Sequence, residues 1–225
     1  KARALGVPYL AAEVVDAARE GEGFRLRLSD GRTISAGKLV NAAGAEGAAR
    51  LSRQLGVDLP VESRKRMIFT FDCREPVAGC PLLIDPTGTY VRPEGTGFLC
   101  GSAPPQERDP DTRDFDVEHD FFDEYLWPVL ATRVPAFEAI RPGQAWAGHY
   151  DMNLFDHNAI LGTVDGHPGL YLATGFSGHG LQQSPAVGRG LAELIIHGAW
   201  RSLDLGALSH ERIAQERPVL EKNVV

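Results

Sequence analysis

Gly175, Gly178 and Gly180 crowd the string Gly-Phe-Ser-Gly-His-Gly, with His179 between the last two and Leu181 and Gln182 directly behind them. Leu170 to Thr174, just upstream, is an apolar run of strand length, and Val187, Leu191, Leu194 and Ile195 recur downstream at helical spacing. A strand, a glycine turn and a helix start bring unpaired backbone N–H groups and the positive end of a helix dipole to one place. That arrangement suits an anionic or electron-rich ligand, and glycine at 178 and 180 would let the ligand approach the backbone closely. Pro185 is expected in the first helical turn, where its missing N–H costs nothing. Histidine is the side-chain type suited to proton transfer near neutral pH, so His179 is open to that role, beside the simpler reading that it packs or hydrogen-bonds at the turn.

These residues need elements to position them. Val14 falls in an expected strand, Glu13 to Asp16, and Phe24, Leu26 and Leu28 alternate with polar residues before the turn signal Asp30-Gly31. Lys38 to Gly44 reads as a buried strand ending in the small residues Ala42, Ala43 and Gly44, followed by a short helix over 45–55 closed by Gly56. Arg64 to Arg66 is read as a solvated charge run. Met67 to Cys73 reads as a central strand, and Leu82 to Asp85, Thr89 to Arg92 and Gly97 to Gly101 as its antiparallel companions. Tyr90 and Arg92 share a face of their strand, and guanidinium geometry suits a carboxylate, so both reach a substrate or neither does. The acid-rich stretch 102–116 reads as a solvated loop, Phe121 to Leu126 as a helical stripe interrupted by Pro128, and Arg141 to Asn153 as a long strand paired with Ala159 to Gly162. Ser209 is the expected N-cap of a final helix.

Composition sets the class. The chain has 225 residues, 43% of them hydrophobic and 24% charged, with a net charge of −7, the profile of a globular protein with a sizeable core. The acidic balance argues against nucleic-acid or anionic-membrane partners, and no apolar run approaches the roughly 18 residues of a spanning helix. The 3 cysteines, Cys73, Cys80 and Cys100, form no Cys-x-x-Cys pair and favour a reducing compartment. No strand–Gly-x-Gly-x-x-Gly–helix unit is present and no metal-ligand set stands out.

The string Gly175 to Gly180, together with Asn-Ala-Ala-Gly at 41–44 and Trp-Ala-Gly-His-Tyr-Asp at 146–151, resembles the D-amino-acid oxidase and sarcosine oxidase superfamily of FAD-dependent oxidoreductases. The resemblance implies an α+β or α/β fold: the C-terminal part of a Rossmann-like FAD-binding domain with an inserted antiparallel substrate domain, divided as 1–60, 61–150 and 151–225. It implies that the portion carrying the pyrophosphate fingerprint belongs to a longer protein. By family position, Val14, Ala43 and Gly44 would meet the dinucleotide, and Gly178, His179, Gly180, Leu181 and Gln182 the flavin ring. Arg64 to Arg66 would belong to a crossover between the two domains, and Tyr90 to Glu94 would lie above that ring. Two departures bear on activity. The family's oxygen-activating lysine falls at Leu99, and its substrate-gripping lysine at Gln182, which favours a dehydrogenase acting on a C–N substrate over an oxidase. The cysteine tether of some members falls near His149, so non-covalent FAD is expected, with a histidyl link through His149 as the alternative. A closer likeness within the superfamily implies a mitochondrial matrix location and contacts with respiratory complex I subunits or assembly factors. A flavin-binding scaffold without catalysis is the competing reading, beside a small-molecule amine or amino-acid substrate.

Overall fold

A computed structural model describes residues 1–222. After a 3₁₀ turn at Arg3–Leu5, three antiparallel strands form a meander, β1 (Val14–Glu20), β2 (Gly23–Leu28) and β3 (Thr33–Ala36). The alternation of Phe24, Leu26 and Leu28 buries those three side chains on one face. The chain then enters β4 (Leu39–Asn41) and the helix α1 (Gly44–Gln54), which stops at Leu55 and Gly56. Gly56 takes φ +82°, the left-handed conformation that ends a helix. β4 is shorter and less buried than its sequence suggests, with Val40 39% exposed, because it lies at the edge of its sheet.

β4 runs parallel to β11 (Leu170–Thr174), and β11 pairs antiparallel with β10 (Ile160–Thr163). Leu170, Leu172 and Ile160 pack toward the meander and α1; Leu161 and Tyr171 pack toward α4 (Gly180–His197) through Val187 and Leu191. The result is a three-layer arrangement around a small mixed sheet. Ala159 to Gly162 thus pairs with β11, not with the long strand that precedes it. The turn at 154–158 carries the chain from one sheet to the other, held by Asn153 Nδ2, which donates to Asp156 Oδ1 (2.8 Å) and to the Asn158 carbonyl (2.6 Å).

The second sheet has the order β6-β7-β8-β5-β9, all neighbours antiparallel. Its strands are β5 (Val61–Cys73), β6 (Leu83–Ile84), β7 (Tyr90–Glu94), β8 (Gly97–Gly101) and β9 (Ile140–Asn153). One face is covered. Met67, Phe69, Phe71, Phe98 and Cys100 pack against Phe121, Phe122, Leu126 and Leu130 of a helical run made of α2 (His119–Phe121), a π-helical turn (Phe122–Leu126) and α3 (Trp127–Arg133). The π turn ends at Leu126, and Pro128 follows Trp127 in the first turn of α3, where no N–H is required.

Four further expectations are corrected. Arg64 to Arg66 is no solvated run but the first half of β5, and the acidic stretch is no free loop. Asp109 bonds Arg66 (2.8 and 3.1 Å), Asp114 bonds Lys65 (2.8 Å), and Asp111 accepts the Ser63 N–H (3.0 Å). Opposite charges far apart in sequence neutralise each other, forming a strap along β5. Pro185 sits in the second turn of α4; the Leu181 carbonyl, which a residue at 185 would normally serve, accepts the Ser184 hydroxyl (3.0 Å). Ser209 makes no side-chain cap: α5 (Glu211–Ala214) has His210 at its N-cap, and Ser209 uses its carbonyl to accept from Arg212.

Candidate flavin and substrate site

The carboxyl ends of the parallel strands β4 and β11 lie side by side, Asn41 opposite Leu172. In open α/β sheets this is where ligands bind, because loops leaving the strand ends open a crevice there. Asn41 sets the first loop. It is buried; its Nδ2 donates to the Ala48 carbonyl and the Ser52 Oγ (both 2.9 Å), and its Oδ1 accepts the Ala43 N–H (3.2 Å). That locks the turn from β4 into α1, with Gly44 at φ +61° and open space where a side chain would project. A cavity of about 260 Å³ opens here, lined mainly by apolar groups that include Val14, Leu39, Ala43 and Leu51. Val14 and Ala43 therefore share one wall, while the Val14 carbonyl accepts from Arg50 (3.2 Å).

The second loop follows β11. Gly175, Ser177 and Gly178 all have positive φ (+72°, +50° and +97°). Asp151 pins this strained turn: its Oδ2 accepts the Gly175 N–H (2.7 Å), and its backbone carbonyl accepts the Ser177 N–H (3.1 Å). Burial raises the Asp151 carboxyl above the usual carboxylate value, with the Phe176 and Gly175 N–H groups opposing the shift. A Cβ on Gly178 would lie 2.5 Å from the Tyr150 ring, and one on Gly180 3.3 Å from Phe176. The space freed by these glycines is thus filled from within the chain, by two aromatic rings, and not left for a ligand.

What faces outward is the helix start itself. α4 has no acidic residue in its first turn, Leu181 is 88% exposed and Gln182 is exposed, so the positive end of an 18-residue helix is neither neutralised nor covered. His179 holds the N-cap position without a side-chain cap bond, and its Nδ1 is buried with no hydrogen-bond partner among the described residues. An orphaned buried nitrogen beside open helix N–H groups, and an apolar slot at the neighbouring strand end, fit an extended cofactor with a flat base at one end and an electron-accepting ring at the other.

Tyr90, Arg92 and Leu99 fall on the sheet face opposite the helical run. Tyr90 lies across from Gly101, where a Cβ would be 2.7 Å from the tyrosine hydroxyl, so the glycine makes room for it. Burial, reinforced by Tyr150 and Cys100, pushes the Tyr90 hydroxyl well above its ordinary value, and it stays a neutral donor. Arg92 is on the same face but exposed, and is bonded to Glu94 and the Pro93 carbonyl. His149 lies on the other side of β9. Its Nδ1 meets the Ser63 Oγ (2.8 Å) and its Nε2 the Asp114 carbonyl (2.8 Å), so Nε2 carries the proton and Nδ1 accepts the Ser63 hydroxyl. Both nitrogens are engaged, and a covalent link at either would break a bond. The sequence marks Tyr150 and Asp151 only as part of the 146–151 motif, and Arg66 and Asp109 only as members of solvated runs; their contacts here are not legible in it. The signal available for Asp151 was an acid embedded in an otherwise half-apolar strand.

The chain matches the family model "DAO: FAD dependent oxidoreductase" over residues 1–194, and it belongs to that family of flavin-dependent oxidoreductases. Among its relatives, it is 42% identical over 212 residues to FAD-dependent oxidoreductase domain-containing protein 1 of Xenopus laevis, covering 87% of this chain and 42% of that protein. It is 29% identical over 171 residues to glycine oxidase of Pseudomonas aeruginosa, covering 72% and 42%. The structure superposes on L-proline dehydrogenase from P. horikoshii with TM-score 0.78 at 25% identity, covering 92% of this chain and 55% of that one. Glycine oxidase from Geobacillus kaustophilus gives TM-score 0.75 at 26% identity, with 89% and 52% covered. The chain thus spans about two-fifths of the length of the curated relatives it matches. FAD is the cofactor this family membership implies, and no helix among the described residues is long and apolar enough to cross a membrane.

Proposed function

We propose that this chain forms the ring-contacting and substrate-facing part of an FAD-dependent dehydrogenase that oxidises a C–N bond. FAD, when bound, supplies the two-electron acceptor. The open N-terminus of α4 would stabilise negative charge developing on the ring, and the cavity at Val14 and Ala43 would hold the flat base at the far end. The carbon beside the unprotonated nitrogen would give up a hydride to the flavin, the nitrogen lone pair forming the C=N bond and taking on the positive charge of an iminium, which water hydrolyses. The observation that carries this reading is that two loops from adjacent parallel strands open at one sheet edge, one apolar and one offering a bare helix start. Leu99 and Gln182, standing where the sequence resemblance places lysines, support a dehydrogenase over an oxidase, as does the likeness to a proline dehydrogenase.

Non-covalent FAD is supported by the double engagement of His149. Acid precipitation of the flavin-loaded protein tests it: yellow supernatant is expected, and a yellow pellet overturns it. Anaerobic loss of absorbance near 450 nm with a panel of amines tests the chemistry. The mitochondrial matrix location and a role beside respiratory complex I rest on the sequence resemblance. Fractionation together with co-purification of complex I subunits checks both.

A further inference from the structure

Five side-chain positions on the uncovered sheet face form one straight row across all its strands. Ile84 pairs with Tyr90, Tyr90 with Gly101, Gly101 with Ile68, and Ile68 with Trp146. The ends of the row stand open, Ile84 at 54% and Trp146 at 45% exposure. Leu99 lies one pleat away, opposite Arg92 on one side and Thr70 on the other. The face is continuous with the turn before α4, since Tyr150, on the same side of β9 as Trp146, seats its ring on Gly178. The cations on this face are already matched. Arg66 is held by both oxygens of Asp109 and lies over the Tyr150 ring at 5.4 Å; Arg64 meets Glu62, and Arg92 meets Glu94.

We infer that the wall this chain supplies takes an amine with an aromatic or branched aliphatic substituent and no carboxylate. This rests on the amine-oxidising reading above. A carboxylate beside Ile68 and Trp146 would have to displace Asp109 from the buried Arg66 or Glu62 from Arg64, exchanging one charge-assisted pair for another with no net gain; Arg92, whose partner Glu94 is exposed, lies on β7, three strands away from Trp146. An apolar substituent instead covers Ile68 and Trp146, direct neighbours on β5 and β9, and the face of Trp146 attracts an alkylammonium group. Trp146 is the specificity-determining residue.

The test compares two N-methyl amines on flavin-loaded protein under anaerobic conditions, N-methylbenzylamine and sarcosine. N-methylbenzylamine is expected to bleach the flavin at least tenfold more efficiently. Trp146→Gln raises its KM about tenfold with little change in the limiting rate and leaves sarcosine unaffected; Trp146→Phe keeps the preference. Equal or faster bleaching by sarcosine, or an unchanged KM in Trp146→Gln, overturns the inference while leaving the amine-oxidising reading intact. If neither amine bleaches the flavin, that reading fails, and binding decides the inference by itself. Benzylamine must then perturb the flavin spectrum at least tenfold below the concentration acetate needs, and equal or reversed concentrations overturn it.

Discussion

Gly178 and Gly44 both have positive φ, yet their surroundings make them unequal. At Gly178 a methyl group meets the Tyr150 ring at 2.5 Å, whereas at Gly44 nothing lies within 4 Å. Gly44→Ala is therefore expected to cost only the left-handed backbone penalty, about 1–2 kcal/mol. Gly178→Ala pays that penalty and must also move a packed ring, for about 1–3 kcal/mol more. Denaturant unfolding checks the order, and flavin titration should show weakened binding for Gly178→Ala. Asp156 offers the second case. Its carboxylate is fully buried against Arg212 through two 2.8 Å bonds and also accepts the Val219 N–H (2.9 Å). Asp156→Ala leaves a buried guanidinium without a counter-charge and is expected to cost about 3–5 kcal/mol in chemical unfolding. Burial raises the Asp156 carboxyl, but the bond and charge of Arg212 outweigh it, leaving the group below its ordinary value. Its ionised form is thus favoured by folding. The contribution is complete above the unfolded carboxylate value near 3.8 and is lost as pH falls through the lowered folded value. Unfolding curves between pH 2 and 7 should separate wild type from Asp156→Asn at neutral pH and bring them together at the acid end.

At the scale of elements, the acidic strap and the basic half of β5 act as one unit. Arg66 is 6% exposed and its Nε has no partner among the described residues, so Asp109 supplies what compensates the buried charge. Asp109→Ala is expected to destabilise the protein by about 3–5 kcal/mol and to loosen Tyr150, over which Arg66 lies. Because the Arg66–Asp109 pair is largely shielded from solvent, 0.5 M salt should change wild-type stability little. Exposed pairs such as Arg141–Asp72 should contribute almost nothing: Arg141→Ala is expected to stay within about 0.5 kcal/mol of wild type. Thermal unfolding of both variants at two salt concentrations is the check.

For the whole molecule, the division of labour between two sheets decides function. The small mixed sheet, covered on both faces, offers its strand ends; the five-stranded sheet is covered on one face only and offers the other. A ligand bridging the two should stabilise them together. Saturating FAD at about 100 times its Kd is expected to add about 2.7 kcal/mol to the stability of the flavin-binding protein. A single unfolding transition that moves with FAD concentration is the expected form.

Much of this was written in local pattern. Alternating Phe24, Leu26 and Leu28, the turn at Asp30-Gly31, the strand–turn–helix around Gly175 to Gly180 and the apolar stripe of α4 are each dictated by periodicity and backbone freedom, which act over a few residues. So the glycine turn, the meander and the antiparallel sheet could be read without coordinates. Pairings across long stretches of chain could not. Whether Arg64 to Arg66 and the acids of the stretch 102–116 are solvated runs or mutual partners depends on two segments over 40 residues apart lying side by side, as Arg66 and Asp109 do. Whether Gly178 makes room for a ligand or for Tyr150 depends on which strand end the turn folds against. Charge neutralisation and ring packing are contacts in space, and only the tertiary structure settles them.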